Sequence, residues 1–179
     1  MRKSSTSKPG KSASSLRPLV ERLAVRLRGA GLRLVTAESC TGGWLAKVIT
    51  DLPGSSTWFE RGYVTYSNAA KAQDLRVDGR TLKRHGAVSE AVAREMAMGA
   101  LRVSGADVAI AITGIAGPDG GSADKPVGTV WLAVAVREGV LEARLQRFSG
   151  DRETIRRDSV KCALEWLVVI QFPQSPTTV

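Results

Sequence analysis

The chain has 179 residues, 43% of them hydrophobic and 24% charged, which fits one globular domain with its own core. No apolar run reaches the roughly 18–20 residues that a membrane helix requires, so no span is expected. Its net charge is +9, but the excess is concentrated between Met1 and Arg28, where Arg2, Lys3, Lys8, Lys11, Arg17, Arg22, Arg26 and Arg28 face only Glu21. A solvated basic leader is the preferred reading of that arm, ahead of nucleic-acid binding.

Residues 1–15 are rich in Ser, Lys and Gly without apolar periodicity, and are expected to be disordered. Leu16, Leu19, Val20, Leu23 and Leu27 then fall on one face of a helix over 16–28, which Gly29 or Gly31 can end. A strand follows over 32–37 and a helix over 44–50. Between them lies a turn of small residues, Glu38-Ser39-Cys40-Thr41-Gly42-Gly43. The Asp51-Leu52-Pro53-Gly54 stretch reads as loop, and Tyr63-Val64-Thr65-Tyr66 extends a strand over 59–66. Ser67 and Asn68 can cap the helix that carries Lys71. A short helix is predicted over 81–85, and a longer Ala-rich one over 89–103 that must pack closely on its neighbours.

Val108-Ala109-Ile110-Ala111-Ile112 is continuously apolar, as a strand covered on both faces should be. It runs into a second glycine-dense loop, Thr113-Gly114-Ile115-Ala116-Gly117. Strands over 127–136 and 141–148 form a hairpin at Gly139, and a last helix runs from about Asp151 to Ile170, ahead of a frayed tail over 172–179. Helices and strands alternate before a hairpin closes the sheet. The pattern predicts a single α/β domain over 16–171, an α/β/α three-layer sandwich on a mixed, mostly parallel sheet of about five strands.

Both glycine loops follow strand carboxyl ends, where α/β sheets place their ligand sites. A strand that turns sharply into a helix presents unpaired N–H groups and the positive end of a helix dipole. That suits either a reactive serine or a bound anion at Ser39, although an ordinary N-cap fits the same residues. With His85 the only histidine, the economical base for a serine is an unprotonated lysine. Lys71 is the choice, since it projects from a helix start on the same edge of the sheet, with Tyr66 placed to relay or orient the proton. Thr113 and the N–H groups after it fit an oxyanion hole or a phosphate site, or only a tight loop. Arg152, Arg156 and Arg157 open the last helix and either clamp a phosphate or form a solvated basic face. Cys40 is read as a small core residue. The two cysteines, Cys40 and Cys162, make neither a disulfide framework nor a four-ligand zinc site. Reduced thiols in a cytoplasmic setting are expected, with no metal site.

Taken together, Ala37-Glu38-Ser39-Cys40-Thr41-Gly42-Gly43, Gly62-Tyr63-Val64-Thr65-Tyr66-Ser67-Asn68 with Lys71, Gly86-Ala87-Val88-Ser89-Glu90, and Thr113-Gly114-Ile115-Ala116-Gly117-Pro118 with Lys125-Pro126-Val127-Gly128-Thr129 resemble the CinA C-terminal domain family, and within it the stand-alone nicotinamide-nucleotide amidohydrolases. The likeness runs over about 16–170 and includes neither the leader nor the larger N-terminal domain of some members. It implies hydrolysis of the carboxamide of nicotinamide mononucleotide to nicotinate mononucleotide and ammonia, in pyridine nucleotide recycling and with no cofactor. By the same resemblance Ser39, Lys71 and Tyr66 are catalytic, while Thr113 and Arg152 match substrate-binding positions. Joined to the residue reading, Thr41, Gly42, Gly43 and Gly114 complete the expected substrate site, the turn amides holding the oxyanion and Thr113, Gly114 and Arg152 the ribose phosphate. A homo-oligomer, dimer or higher, is expected. The rival expectation is a non-catalytic adaptor of competence or DNA-damage response on the same fold.

Overall fold

The computed structural model describes residues 16–172, so the leader expected over 1–15 and nearly all of the tail lie outside the described residues. Elements alternate along the chain as α1 (Arg17–Ala30), β1 (Leu34–Glu38), α2 (Trp44–Thr50), β2 (Phe59–Val64), α3 (Asn68–Leu75), α4 (Gly79–His85), α5 (Glu90–Ser104), β3 (Val108–Gly114), β4 (Thr129–Val136), β5 (Leu141–Arg147) and α6 (Arg152–Val169). The sheet order is β2-β1-β3-β4-β5. β1 runs parallel to both β2 and β3, whereas β4 is antiparallel to its two neighbours. Only β4 therefore opposes the other strands, in agreement with the mixed, mostly parallel sheet expected.

The two faces of this sheet carry different side chains. Alternate residues of the central strands (Leu34, Val108, Ile110, Ile112, Leu132 and Val134) enter a core shared with α1, α2 and α6. Each such branched side chain, fully buried, contributes about 1.5–3 kcal/mol. The intervening residues Ala37, Ala109, Ala111, Ala133 and Ala135 meet α5 on the opposite face. With so little bulk below it, α5 lies close to the sheet and to α3, and Gly99 marks the closest approach: a Cβ there would overlap the Leu75 carbonyl. The Ala-rich composition of α5 thus has a packing cause.

Element boundaries follow from their partners. Gly31, at φ +66°, ends α1 in the left-handed region. Asp78 caps α4 by accepting from the Arg80 N–H, so that helix starts two residues earlier than predicted. β2 stops at Val64 because β1, its only partner among the described residues, ends opposite it at Glu38, and Tyr66 lies beyond the strand. Three strand ends, those of β1, β2 and β3, consequently deliver their following loops to one edge of the sheet.

Candidate active site

β1 ends in the turn Ser39-Cys40-Thr41-Gly42, closed by the Gly42 N–H donating to the Ser39 carbonyl at 3.0 Å. α3 starts at the neighbouring edge, capped by Ser67, and carries Lys71 back over that turn. Lys71 is 1% exposed. Its Nζ donates to Ser39 Oγ at 2.9 Å and to the Thr65 carbonyl at 2.7 Å. Both acceptors are neutral, and burial holds the Lys71 amine below the usual lysine range. A hydroxyl and an amine at this separation, with the amine biased toward its neutral form, are arranged for proton transfer from serine to lysine.

Around this pair lies a cavity of about 210 Å³, whose wall includes Ser39, Lys71, Tyr66, Thr113, Gly114 and Arg152. Six of the residues expected from sequence are therefore brought together. Their roles differ in part from expectation. The Tyr66 hydroxyl accepts from Arg152 Nη2 at 2.7 Å rather than bonding Lys71 or Ser39. Arg152 also donates from Nη1 to the Gly117 carbonyl at 2.7 Å, which ties the start of α6 to the second glycine loop. Thr113 is buried and donates its hydroxyl proton to the Ala87 carbonyl at 2.9 Å. His85 is not part of the wall. Cys40 is: burial pushes its thiol up to about 12, so it is a protonated, small apolar group as expected.

Thr41, Gly42 and Gly43 correct the sequence reading, because none of them reaches the cavity. The positive end of α2 is already occupied by Glu38, whose carboxylate accepts from the N–H groups of Gly43 (3.1 Å), Leu45 (3.0 Å) and Ala46 (2.8 Å). An internal anion sits where the sequence suggested an external one. Gly42 N–H closes the turn, and Thr41 is wholly buried. Among the three arginines of α6, Arg152 alone faces the cavity. Arg156 donates to the carbonyls of Cys40 (3.1 Å) and Thr41 (2.9 Å) and stacks over Trp44, while Arg157 pairs with Asp158. Among the described residues no group of three or more His, Cys, Asp or Glu side chains is arranged to hold a metal ion.

A family model described as the CinA C-terminal domain matches residues 16–170. This chain belongs to the CinA C-terminal domain family. It is 57% identical over 154 residues to the nicotinamide-nucleotide amidohydrolase PncC of Escherichia coli K12, covering 86% of this chain and 93% of that protein. The PncC of Pseudomonas putida is 52% identical over 150 residues, covering 84% and 93%. Longer CinA-like proteins match too: the one from Geotalea uraniireducens is 54% identical over 145 residues, 81% of this chain but 34% of its own length. Among solved structures, the competence/damage inducible protein CihA of Agrobacterium tumefaciens superposes with a TM-score of 0.84 at 44% identity, covering 92% of this chain and 98% of that one.

Two residues of this CinA-family site escaped the sequence reading. Glu38 stands in the motif, but a carboxylate five residues ahead of a helix N-cap follows no capping pattern, and its role exists only once the turn folds back. Arg156 was seen as one of three basic residues. Its spacing from Arg152, one helical turn, places both on the face of α6 that meets the site loops.

Proposed function

We propose that this protein hydrolyses the carboxamide of nicotinamide mononucleotide to nicotinate mononucleotide and ammonia, with Ser39 as nucleophile and Lys71 as its base. The enzyme class follows from kinship: the relatives matched over nearly their whole length are nicotinamide-nucleotide amidohydrolases, and this chain is an amidohydrolase with them. The catalytic assignment rests on one observation, the 2.9 Å contact between buried Lys71 Nζ and Ser39 Oγ.

Ser39 Oγ bonds the carboxamide carbon as its proton passes to Lys71 Nζ, and the carbonyl electron pair moves onto oxygen. When the carbonyl re-forms, the C–N bond breaks and nitrogen leaves as ammonia with the proton from Lys71. Water, deprotonated by the same amine, then cleaves the acyl-serine, releases the carboxylate and returns the proton to Ser39. Arg152, with Tyr66 against it, supplies the positive charge for the nucleotide phosphate, so binding at that end positions the amide. The reaction belongs to pyridine nucleotide recycling in the cytoplasm, by a homo-oligomer. Among the described residues no helix is long and apolar enough to cross a membrane.

Ammonia release from nicotinamide mononucleotide, in the presence of a chelator, tests the proposal. Wild type should release it and Ser39→Ala should not; a Ser39→Ala protein as fast as wild type would end the mechanism. The names of solved relatives, competence/damage inducible proteins, favour a second reading, a non-catalytic adaptor, and a wild-type protein that releases no ammonia would decide for it.

A further inference from the structure

We infer that the oxyanion of the acyl-transfer step is held by the backbone N–H groups of Cys40 and Gly114, one from each glycine loop, with Arg156 as a positioning residue behind the first. This rests on the Ser39–Lys71 reading above and adds the groups that take the negative charge.

Gly114 is assigned by the alternation of β3. Ile115 N–H donates to the Thr129 carbonyl on the β4 side, at 2.9 Å. On the β1 side, Val108 N–H donates to the Arg33 carbonyl at 3.0 Å, and the Ile112 carbonyl accepts from Ser39 N–H at 2.9 Å. Successive residues of a strand direct their amide groups to opposite neighbours. Gly114, two residues beyond Ile112, therefore turns its N–H toward β1, past the point where β1 has ended. A continued ladder would offer it the Ser39 carbonyl, but that oxygen accepts from the Gly42 N–H at 3.0 Å and no bond from the Gly114 N–H reaches it. The Gly114 amide is thus directed at the Ser39 turn, on the cavity wall, with no acceptor among the described residues.

Cys40 is assigned by peptide planarity. A trans peptide points its N–H opposite to its C=O. Since the Ser39 carbonyl is turned toward Gly42, the Cys40 N–H of the same peptide points the other way, and it donates to no backbone carbonyl among the described residues, its one contact being with its own thiol. Its orientation is held from behind. Arg156, which is not part of the cavity wall, fixes the next two carbonyls with Nε on Cys40 and Nη2 on Thr41. Rotation of these peptide planes would break both bonds. A donor from the residue after the nucleophile, joined by one from a neighbouring strand–helix loop, also serves hydrolases of unrelated fold.

Side-chain substitution at Gly114 is uninformative, because a Cβ would stand 2.6 Å from Val130 Cγ2 and 2.9 Å from the Thr129 carbonyl. The test is to replace Gly114 by glycolic acid in the full chain, converting one amide to an ester and so removing the N–H without adding a side chain. The expected result is a fall in kcat of about 10²–10³-fold with KM little changed. In a second variant, Arg156→Met, kcat should fall with KM retained, and Arg156→Lys should restore part of the loss. A glycolate protein, or an Arg156→Met protein, with wild-type kcat overturns the inference. Ser39→Ala, assayed alongside, separates the two failures. If it is inactive while the ester is fully active, only the oxyanion assignment falls; if it is active, the nucleophile falls first.

Discussion

Glu38 and Lys71 are both sealed from solvent beside Ser39, at 0% and 1% exposure, yet the protein settles their charges in opposite ways. Three backbone N–H groups and the positive end of α2 surround the carboxylate, so its negative charge is compensated. The amine receives a hydroxyl and a carbonyl, neither charged, and burial favours its neutral form. A buried charge with full compensation shapes the turn. A buried amine without a counter-charge is one prepared to exchange a proton.

The severest way to break this contrast is to remove the proton that Lys71 accepts in the proposed mechanism. Ser39→Ala should lower turnover by at least about 10³-fold while the melting temperature stays close to wild type, read by ammonia release and thermal unfolding. Next is Lys71→Met, which should lower kcat by about 10²–10⁴-fold. The same variant should be more stable than wild type. In the unfolded chain the lysine titrates near about 10.4, and in the folded protein its pKa is lower. Between those values the unfolded state binds more protons, so wild-type stability falls as pH drops through that window. The advantage of Lys71→Met should accordingly be largest below the window and fade as pH approaches the unfolded value, a trend that urea unfolding at several pH values would reveal. Wild-type kcat, in turn, should rise with pH as Lys71 loses its proton.

Glu38→Gln probes the other half of the contrast. A neutral amide keeps the shape but loses the charge and puts an NH₂ group near three backbone donors, so unfolding free energy should drop by about 2–4 kcal/mol. Its effect on kcat should be smaller than that of Lys71→Met; the reverse order would mean that Glu38 enters the chemistry. Asp78→Ala, a cap remote from both groups, is the weakest perturbation, costing about 1 kcal/mol with kcat unchanged.

Sequence pattern alone located the sheet, both glycine loops and the serine–lysine pair, because apolar alternation marks strands and turn chemistry marks their ends. Other features depended on partners that no local pattern contains. The strand-favouring run Tyr63-Val64-Thr65-Tyr66 ends early as a strand because β1 offers nothing further to pair with. The glycine-rich turn promised free amides, yet most are engaged internally, one of them through Glu38, a residue that reads in isolation as a surface charge. Arg156 and Arg157 are adjacent and chemically alike; packing against Trp44 and the turn carbonyls gives only one of them a place beside the site.

The reversed direction of β4 has a bearing on how such a protein can diversify. A strand antiparallel to its neighbour starts on the edge where that neighbour ends, so the chain stays at the site edge between β3 and β4, and the connection there follows Ala116 and Gly117 and includes seven surface residues, 118–124. Apart from Gly120 and Gly121, whose backbone leaves little room for a side chain, these residues face solvent, so substitutions among them should leave Ser39, Lys71 and the sheet in place. New substrate preferences can accordingly arise by rewriting that stretch while the reacting groups are inherited intact.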